Sequence, residues 1–257
     1  MKKTVTNLLL LENKQLNKDN FLLVLQSSLP LSGILPGQFI NVEIKDASEI
    51  FLRRPFSILD VNYEKQTISV LVKILGRGSK KLTEAKPGQI ISTIIPLGKS
   101  FTLPGKDDKI LLIGGGSGVA PMLFLSKICG LNPANVNVLI GARSASDHVD
   151  ISDYQKYGNF FFTTEDGSMG EKGYVTNHSI FINGLDKFTK IYTCGPDLMM
   201  KAIGRKAIER NIFCEVSLEN MMACGFGVCL CCVEDTKAGH KCVCTDGPVF
   251  NVNDLKW

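Results

Sequence analysis

The 257-residue chain contains nine cysteines, and four of them fall within nine positions of CGFGVCLCCV, residues 224–233. Cys224, Cys229 and Cys232 follow a C-x4-C-x2-C spacing, and Cys242 and Cys244 lie further on. That order, closed by one more cysteine, is the plant-type [2Fe–2S] ligand spacing. Structural zinc sites usually draw on paired short arms, and only one C-x2-C arm is present here. Gly225 and Gly227 permit a tight loop whose backbone amides can point at sulfur and tune a cluster. These residues rank iron–sulfur ahead of zinc, and zinc ahead of disulfides. Spacing alone leaves the closing ligand open between Cys242 and Cys244. Cys231 would turn the C-x2-C step into C-x-C, and adjacent side chains of an extended segment point opposite ways, so Cys231 is expected to be a bystander.

Three further stretches carry chemistry. In LLIGGGSGVAPM, Leu111 to Ile113 form a strand, Gly114, Gly115, Gly116, Ser117 and Gly118 a turn, and Val119 opens a helix with Pro121 in its first turn. Such glycines let backbone amides approach a pyrophosphate at a helix start. The G-x-G-x-x-G pattern fails, because Val119 occupies its last position. In RRPFSIL, residues 53–59, Arg54 and Ser57 offer a guanidinium and a hydroxyl to a phosphorylated ligand, while Pro55 keeps the backbone extended. GRGSKKL, residues 76–82, adds an amide-rich turn through Gly76, Gly78 and Ser79. In TCGPDLMMKAI, Cys194 ends a strand, Gly195 turns and Pro196 starts a helix, which places a thiol where parallel sheets bind ligands. Each stretch alone is matched by a plain structural reading: a tight turn, a surface arginine, a buried cysteine. Their combination is not. A nicotinamide delivers two electrons as hydride and a [2Fe–2S] cluster handles one, so the pair requires a flavin between them.

The elements that must position these residues fall into two textures. The first hundred residues are β-rich: Ile68, Val70, Val72 and Ile74 share a face at period two, and Pro-Gly-Gln occurs at 36–38 and 87–89, each time before an apolar run. Short strands separated by turns point to an antiparallel barrel. After Leu103-Pro104-Gly105 the runs ILLIGG (110–115), VNVLIGA (136–142), FFFTTE (160–165) and KIYTCG (190–195), with a further candidate strand from Phe213, alternate with helical segments. That alternation specifies a parallel α/β sheet. The expected fold is thus a flavin-binding antiparallel β-barrel domain over 1–103, a nucleotide-binding α/β domain with a parallel sheet over 104–216 and a small cluster domain over 217–257. Composition is ordinary, with 44% hydrophobic and 21% charged residues and a net charge of +4, and no basic run points to nucleic acid. The Leu run at the N-terminus stops at Glu12, too short for a secretory signal, and no apolar run reaches a membrane span. These features give a cytoplasmic expectation, which disfavours disulfides.

RPFS in a barrel, GGGSGVAPM opening a nucleotide domain and CGP at a later strand end resemble the ferredoxin–NADP reductase superfamily. The tail, SLENMMACGFGVCLCCV followed by CTDGPVF, resembles the electron transfer subunits of dihydroorotate dehydrogenase B. The resemblance spans nearly the whole chain and makes the three domains FAD-binding, NAD-binding and [2Fe–2S]-binding in turn. It implies that Arg54, Pro55, Phe56 and Ser57, then Leu71, Val72 and Lys73, then Gly78 and Ser79, contact FAD. It places Gly114 to Gly118 and Cys194, Gly195 and Pro196 on the NAD(H) side. It assigns Cys224, Cys229, Cys232 and Cys244 to the cluster, Cys244 because it directly precedes TDGPVF. It further implies an FMN-containing catalytic subunit as partner, in a heterotetramer, with dihydroorotate oxidised there and electrons passing through the cluster and FAD to NAD+. No dihydroorotate site is expected on this chain. The small subunits of NADH-dependent ferredoxin–NADP reductases and of sulfide dehydrogenases have a similar domain order, but their first cluster ligand can be an aspartate where this chain has Cys224. His148, His178 and His240 are assigned no role, Met199, Met200, Met221 and Met222 are expected in packing, Cys129 and Cys214 as small buried hydrophobes, and Thr164 to Asp166 as either a ribose contact or a solvated turn.

Overall fold

A computed structural model describes residues 2–45, 49–130 and 132–257. Six strands and a short helix build the first part: β1 (Thr4–Gln15), β2 (Asn20–Gln26), β3 (Phe39–Val42), β4 (Arg54–Asn62), β5 (Thr67–Lys73), α1 (Arg77–Thr83) and β6 (Ile90–Leu97). The strands close into an antiparallel barrel in the order β1-β2-β5-β4-β3-β6. Period-two burial explains the closure: Ile68, Val70 and Val72 of β5 are fully buried and meet Leu23 and Leu25 of β2 in the barrel interior. Ile74, expected on the same face, lies one residue past the end of β5 and is only half-buried. Both Pro-Gly-Gln stretches are turns of one construction. Gly37 and Gly88 take φ of +96° and +91°, and the side chains of Gln38 and Gln89 accept from the backbone N–H three residues earlier, at 2.9 and 2.8 Å. Each turn feeds a strand, β3 and β6 respectively.

The remaining elements are β7 (Ile110–Gly115), α2 (Val119–Cys129), β8 (Val136–Ala142), β9 (Asn159–Thr164), β10 (Glu171–Lys172), α3 (Ser179–Gly184), β11 (Lys190–Cys194), α4 (Asp197–Glu209), β12 (Phe213–Ser217), β13 (Val233–Thr236), β14 (Gly239–Cys242) and β15 (Val249–Asn251). Continuous apolar runs make strands buried on both faces, and β10-β9-β8-β7-β11-β12 form a parallel sheet in that order. The order reverses between β7 and β11, and ligands of such sheets bind at the carboxyl ends beside that reversal. The strand β7 runs through Gly115, two glycines further than the sequence pattern indicates, before a short 3-10 turn leads into α2.

Two connections tie the parts together. The helix α2 lies against β4, where Lys127 Nζ contacts Asp60 Oδ1 at 2.6 Å. The tail crosses back, because β15 pairs antiparallel with β12 and extends the nucleotide sheet. Residues 249–251, grouped by sequence with the cysteines, are therefore an edge strand of that sheet. Among the described residues, no helix is long and apolar enough to cross a membrane.

Candidate cofactor crevice and cysteine loop

A crevice of 610 Å³ opens between the barrel and the nucleotide sheet. From the barrel it is lined by Arg54, Pro55, Phe56 and Ser57 of β4, by Leu71 and Lys73 of β5, and by Gly78 and Ser79. Val72 faces the other way, into the barrel core, because alternate residues of a strand point to opposite faces; it has only backbone to offer the crevice. The Arg54 guanidinium is held by the carbonyls of Leu52 and Arg53, at 2.7 and 3.3 Å, and lies directly against Gly78. A Cβ at Gly78 would stand 2.8 Å from Arg54 Nε, so a larger residue there would displace the guanidinium from its present position. The Ser79 hydroxyl is engaged locally, accepting from the N–H of Leu75 and Gly76 and so fixing the turn rather than projecting into the crevice.

The opposite wall includes Ser117, Ala120, Leu218, Glu219, Met221 and Met222. The two nucleotide-side motifs pack on each other through glycine. A Cβ at Gly118 would lie 2.3 Å from both the carbonyl carbon and oxygen of Cys194, and one at Gly115 would meet Met199 Sδ at 2.8 Å. Gly116 has φ of +58° with open space beside it, and Lys73 Nζ is the nearest atom, at 3.8 Å from its Cβ position. Gly195 has φ of +148° and abuts the Gly115 carbonyl.

Sequence reasoning missed Glu219. It follows β12, whose Ser217 is paired with Cys194 of β11, so the sheet order delivers its carboxylate to the crevice. Ser117 Oγ donates to Glu219 Oε1 at 3.3 Å, and Cys194 Sγ stands 4.0 Å from the same oxygen. The carboxylate is open to the crevice and walled by protein behind. Desolvation raises its pKa above the ordinary glutamate range, against the opposing pull of the Ser117 hydroxyl and the Lys73 ammonium. Desolvation likewise pushes the buried Cys194 thiol up, and the Glu219 charge adds to it, so Cys194 is a neutral thiol. The signal that identifies Glu219 is a charged residue just past the carboxyl end of a parallel strand, legible once β12 is known to neighbour β11. Met221, expected in packing, is 85% exposed at the crevice rim, whereas Met200 is buried.

The cysteine loop sits on the outside of this arrangement. Backbone N–H groups of Phe226, Val228 and Cys229 converge on Cys224 Sγ at 3.5, 3.3 and 3.5 Å. Burial raises this thiol, but those three donors outweigh it and bring it down to about 6. Cys229 Sγ accepts from the Cys224 N–H at 3.5 Å, and Cys232 Sγ accepts from the Cys244 N–H at 3.4 Å. These two backbone-to-sulfur bonds join residue 224 to 229 and residue 244 to 232. Burial, then the Cys232 contact, pushes Cys244 up to about 12. Cys231 points outward and its Sγ lies 3.8 Å from the Met221 carbonyl, while Cys232 beside it is buried. Cys242 is half-buried at the end of β14 and its N–H donates to Asp246. Gly225 and Gly227 take φ of +78° and +96° and press against Asn41 and Thr245. Among the described residues no three His, Cys, Asp or Glu side chains are drawn together as a single-ion site.

A barrel carrying an arginine clamp and a parallel sheet with a glycine-lined nucleotide turn meet at the crevice, and a loop of amide-solvated thiols lies outside it; together they suit an NAD-linked flavin and iron–sulfur oxidoreductase. Residues 7–102 match the oxidoreductase FAD-binding domain, residues 112–205 the oxidoreductase NAD-binding domain, and residues 219–256 the iron-sulfur cluster binding domain of dihydroorotate dehydrogenase B. The chain is 34% identical over 261 residues, 99% of each chain, to the dihydroorotate dehydrogenase B (NAD(+)) electron transfer subunit of Shouchella clausii. It is 38% identical over 220 residues, 84% of each chain, to the protein of that name from Caldanaerobacter subterraneus. Among solved structures, one described as the NADH-dependent reduced ferredoxin-NADP oxidoreductase superposes with a TM-score of 0.84 at 26% identity, covering 97% of this chain and 90% of the other. A ferredoxin reductase in carbazole 1,9a-dioxygenase shares the fold, with a TM-score of 0.71 at 22% identity over 82% of this chain and 67% of that one. The chain belongs to the family of dihydroorotate dehydrogenase B electron transfer subunits. Its cofactors are FAD, an iron–sulfur cluster and NAD(H).

Proposed function

We propose that this chain carries electrons between an FMN-containing catalytic subunit, which oxidises dihydroorotate to orotate, and NAD+, in pyrimidine biosynthesis. Oxidation of dihydroorotate yields two electrons and two protons; NAD+ takes both electrons and one proton, and the other proton goes to solvent. Cys224, Cys229, Cys232 and Cys244 would hold a [2Fe–2S] cluster, which would supply one-electron transfer, and FAD would supply the exchange between single electrons and a pair. Backbone amides donating to the sulfurs of Cys224, Cys229 and Cys232 suit thiolates that hold an iron–sulfur cluster. Arg54 to Ser57, Leu71 to Lys73, Gly78 and Ser79 hold FAD, and Gly114 to Gly118 with Cys194, Gly195 and Pro196 hold the nicotinamide nucleotide.

The observation that carries this reading is the placement of the thiol loop. It lies at the surface, with Cys229 exposed and Met221, Val228 and Leu230 standing 85%, 72% and 63% exposed around it, while the nucleotide turn lies across the crevice. A one-electron centre open to a partner on one side and a two-electron site on the other make a relay. The apolar rim suits a protein partner rather than a small soluble donor. Two copies of each subunit make the assembly.

The test is co-purification and reconstitution. Combined with an FMN subunit of the dihydroorotate type, the chain should support dihydroorotate-dependent NAD+ reduction, and alone it should not. The similarity to the ferredoxin-NADP oxidoreductase structure supports a second reading, in which the partner differs and the relay is the same. Failure with the dihydroorotate-type subunit, together with co-purification of a different flavoprotein, would select that reading.

A further inference from the structure

We propose that Asn41 is the positioning residue that fastens the cysteine loop to the flavin-bearing wall of the barrel. This rests on the assignment of the loop to the cluster, though not on the identity of the partner. Asn41 is 1% exposed and sits on β3, where its register partner across the sheet is Pro55. Phe39, Ile40 and Val42 of the same strand pair with Ser57, Phe56 and Arg54. One four-residue strand therefore backs the whole Arg54–Ser57 stretch. From it the Asn41 Nδ2 donates to the Cys224 carbonyl at 2.9 Å, across 183 positions of sequence. The next residue, Gly225, has φ of +78°, and a Cβ there would stand 2.6 Å from Asn41 Nδ2. The loop is shaped to receive this amide at close range.

The support beneath Asn41 is rigid. Arg53 spans β3 and β6, donating to the Ser92 carbonyl at 2.9 Å, to Ser92 Oγ at 2.9 Å and to the Asn41 carbonyl at 3.5 Å. The other end of the amide is costly to keep. Asn41 Oδ1 is buried and has no hydrogen-bond donor among the described residues. A buried acceptor without a partner opposes stability, and leucine, of similar size, would remove that penalty. Barrel packing thus gives no reason for asparagine at this position, whereas the bond to Cys224 does. The path from Pro55 to Asn41 to Cys224 fixes the first cysteine of the loop relative to the strand that clamps the flavin. Electron exchange between two centres demands a constant separation, and a site held on strands is held more firmly than one on a free loop.

The experiment uses the full chain carrying its own flavin and cluster, with no partner subunit. Asn41→Leu removes the bond from the barrel side, and Gly225→Ala disturbs the same contact from the loop side without touching the barrel interior. Hydrogen–deuterium exchange of residues 224–229 is read in the metal-free chain. Electron paramagnetic resonance of the NADH-reduced cluster and the rate of flavin-to-cluster transfer are read in the loaded chain. The expected result for both variants is an exchange protection lower by about tenfold in this segment, a broadened cluster signal and slower cluster reduction, with NADH reduction of the flavin unchanged. If Asn41→Leu does not fold, Gly225→Ala decides. Either variant, folded, that keeps wild-type protection in the metal-free chain and wild-type signal in the loaded chain overturns the proposal. A wild-type chain without iron would instead defeat the cluster reading, and failure with dihydroorotate would leave Asn41 unaffected.

Discussion

Replacing Gly118 by alanine isolates the contact that joins the two nucleotide-side motifs. The new Cβ would lie 2.3 Å from the carbonyl carbon and oxygen of Cys194 and 2.5 Å from the Gly195 nitrogen. Carbon contacts are optimal at about 3.5–4.0 Å, so the overlap exceeds about 1 Å. Relief by a side-chain rotation is not available, because the obstructing atoms are backbone. They lie at the end of β11, which is paired with β7 up to Cys194 and Gly114. Overpacking costs about 1–3 kcal/mol where side chains can yield. With backbone on both sides the cost reaches the upper end, about 3 kcal/mol, which lowers the melting temperature by about 6–12 °C for a chain of this size. Gly116→Ala is the matched control. Its Cβ meets nothing closer than Lys73 Nζ at 3.8 Å, and only its φ of +58° is unfavourable. Left-handed backbone costs about 1–2 kcal/mol, so this variant loses about 2–8 °C. Thermal melts and NADH titration of the flavin-loaded chain read both effects. Gly118→Ala should weaken NADH more than it weakens FAD. A Gly118→Ala protein that melts and binds NADH like wild type would refute the reasoning, since it would mean that β7 and β11 do not approach as closely as described.

Three further outcomes are expected. Cys→Ser at 224, 229, 232 or 244 should abolish the cluster signal and the iron content, while Cys→Ser at 231 or 242 should preserve both; loss of iron on changing Cys231 or Cys242 would overturn the ligand set. Arg54→Ala removes a charged donor facing the crevice and should weaken FAD by about 10–100-fold, as judged by release of flavin fluorescence on dilution; undiminished retention would place FAD elsewhere. In the metal-free chain, amide donors bring Cys224 down to about 6, so its thiolate dominates above that pH and falls tenfold with each unit below it. Alkylation followed by mass spectrometry should be fast at Cys224 near pH 7.5 and slow near pH 5, while Cys129, pushed up to about 12 by burial, stays unmodified at both; a Cys224 rate with no inflection near pH 6 would contradict this.

Much of this protein is legible in the chain itself. Each chemical motif is a contiguous stretch, and a turn, a strand end or a short ligand spacing is dictated by the residues that form it. Arg54 to Ser57 read as an extended clamp and occupy the start of β4; VNVLIGA reads as a strand and is β8 without a residue's difference. Cys224, Cys229 and Cys232 carry their spacing wherever the loop goes. The same locality leaves side-chain direction and strand partners undetermined. Strand alternation turns Val72 inward even though its neighbours Leu71 and Lys73 line the crevice. Residues 249–251 follow the cysteines in the chain but belong to the nucleotide sheet in space.

What the tertiary structure alone decided are the contacts between distant segments. Gly118 needs to be glycine because β11 returns beside β7, and nothing within GGGSG announces Cys194 as its neighbour. Glu219 faces Ser117 because β12 lies next to β11 in the sheet. Asn41 meets Cys224 because barrel closure brings β3 under a loop 183 positions away. Local sequence specifies turns, strands and ligand spacing through backbone geometry and hydrophobic period. Which side chains then face one another depends on strand order and register, and those are settled only when the whole core is buried.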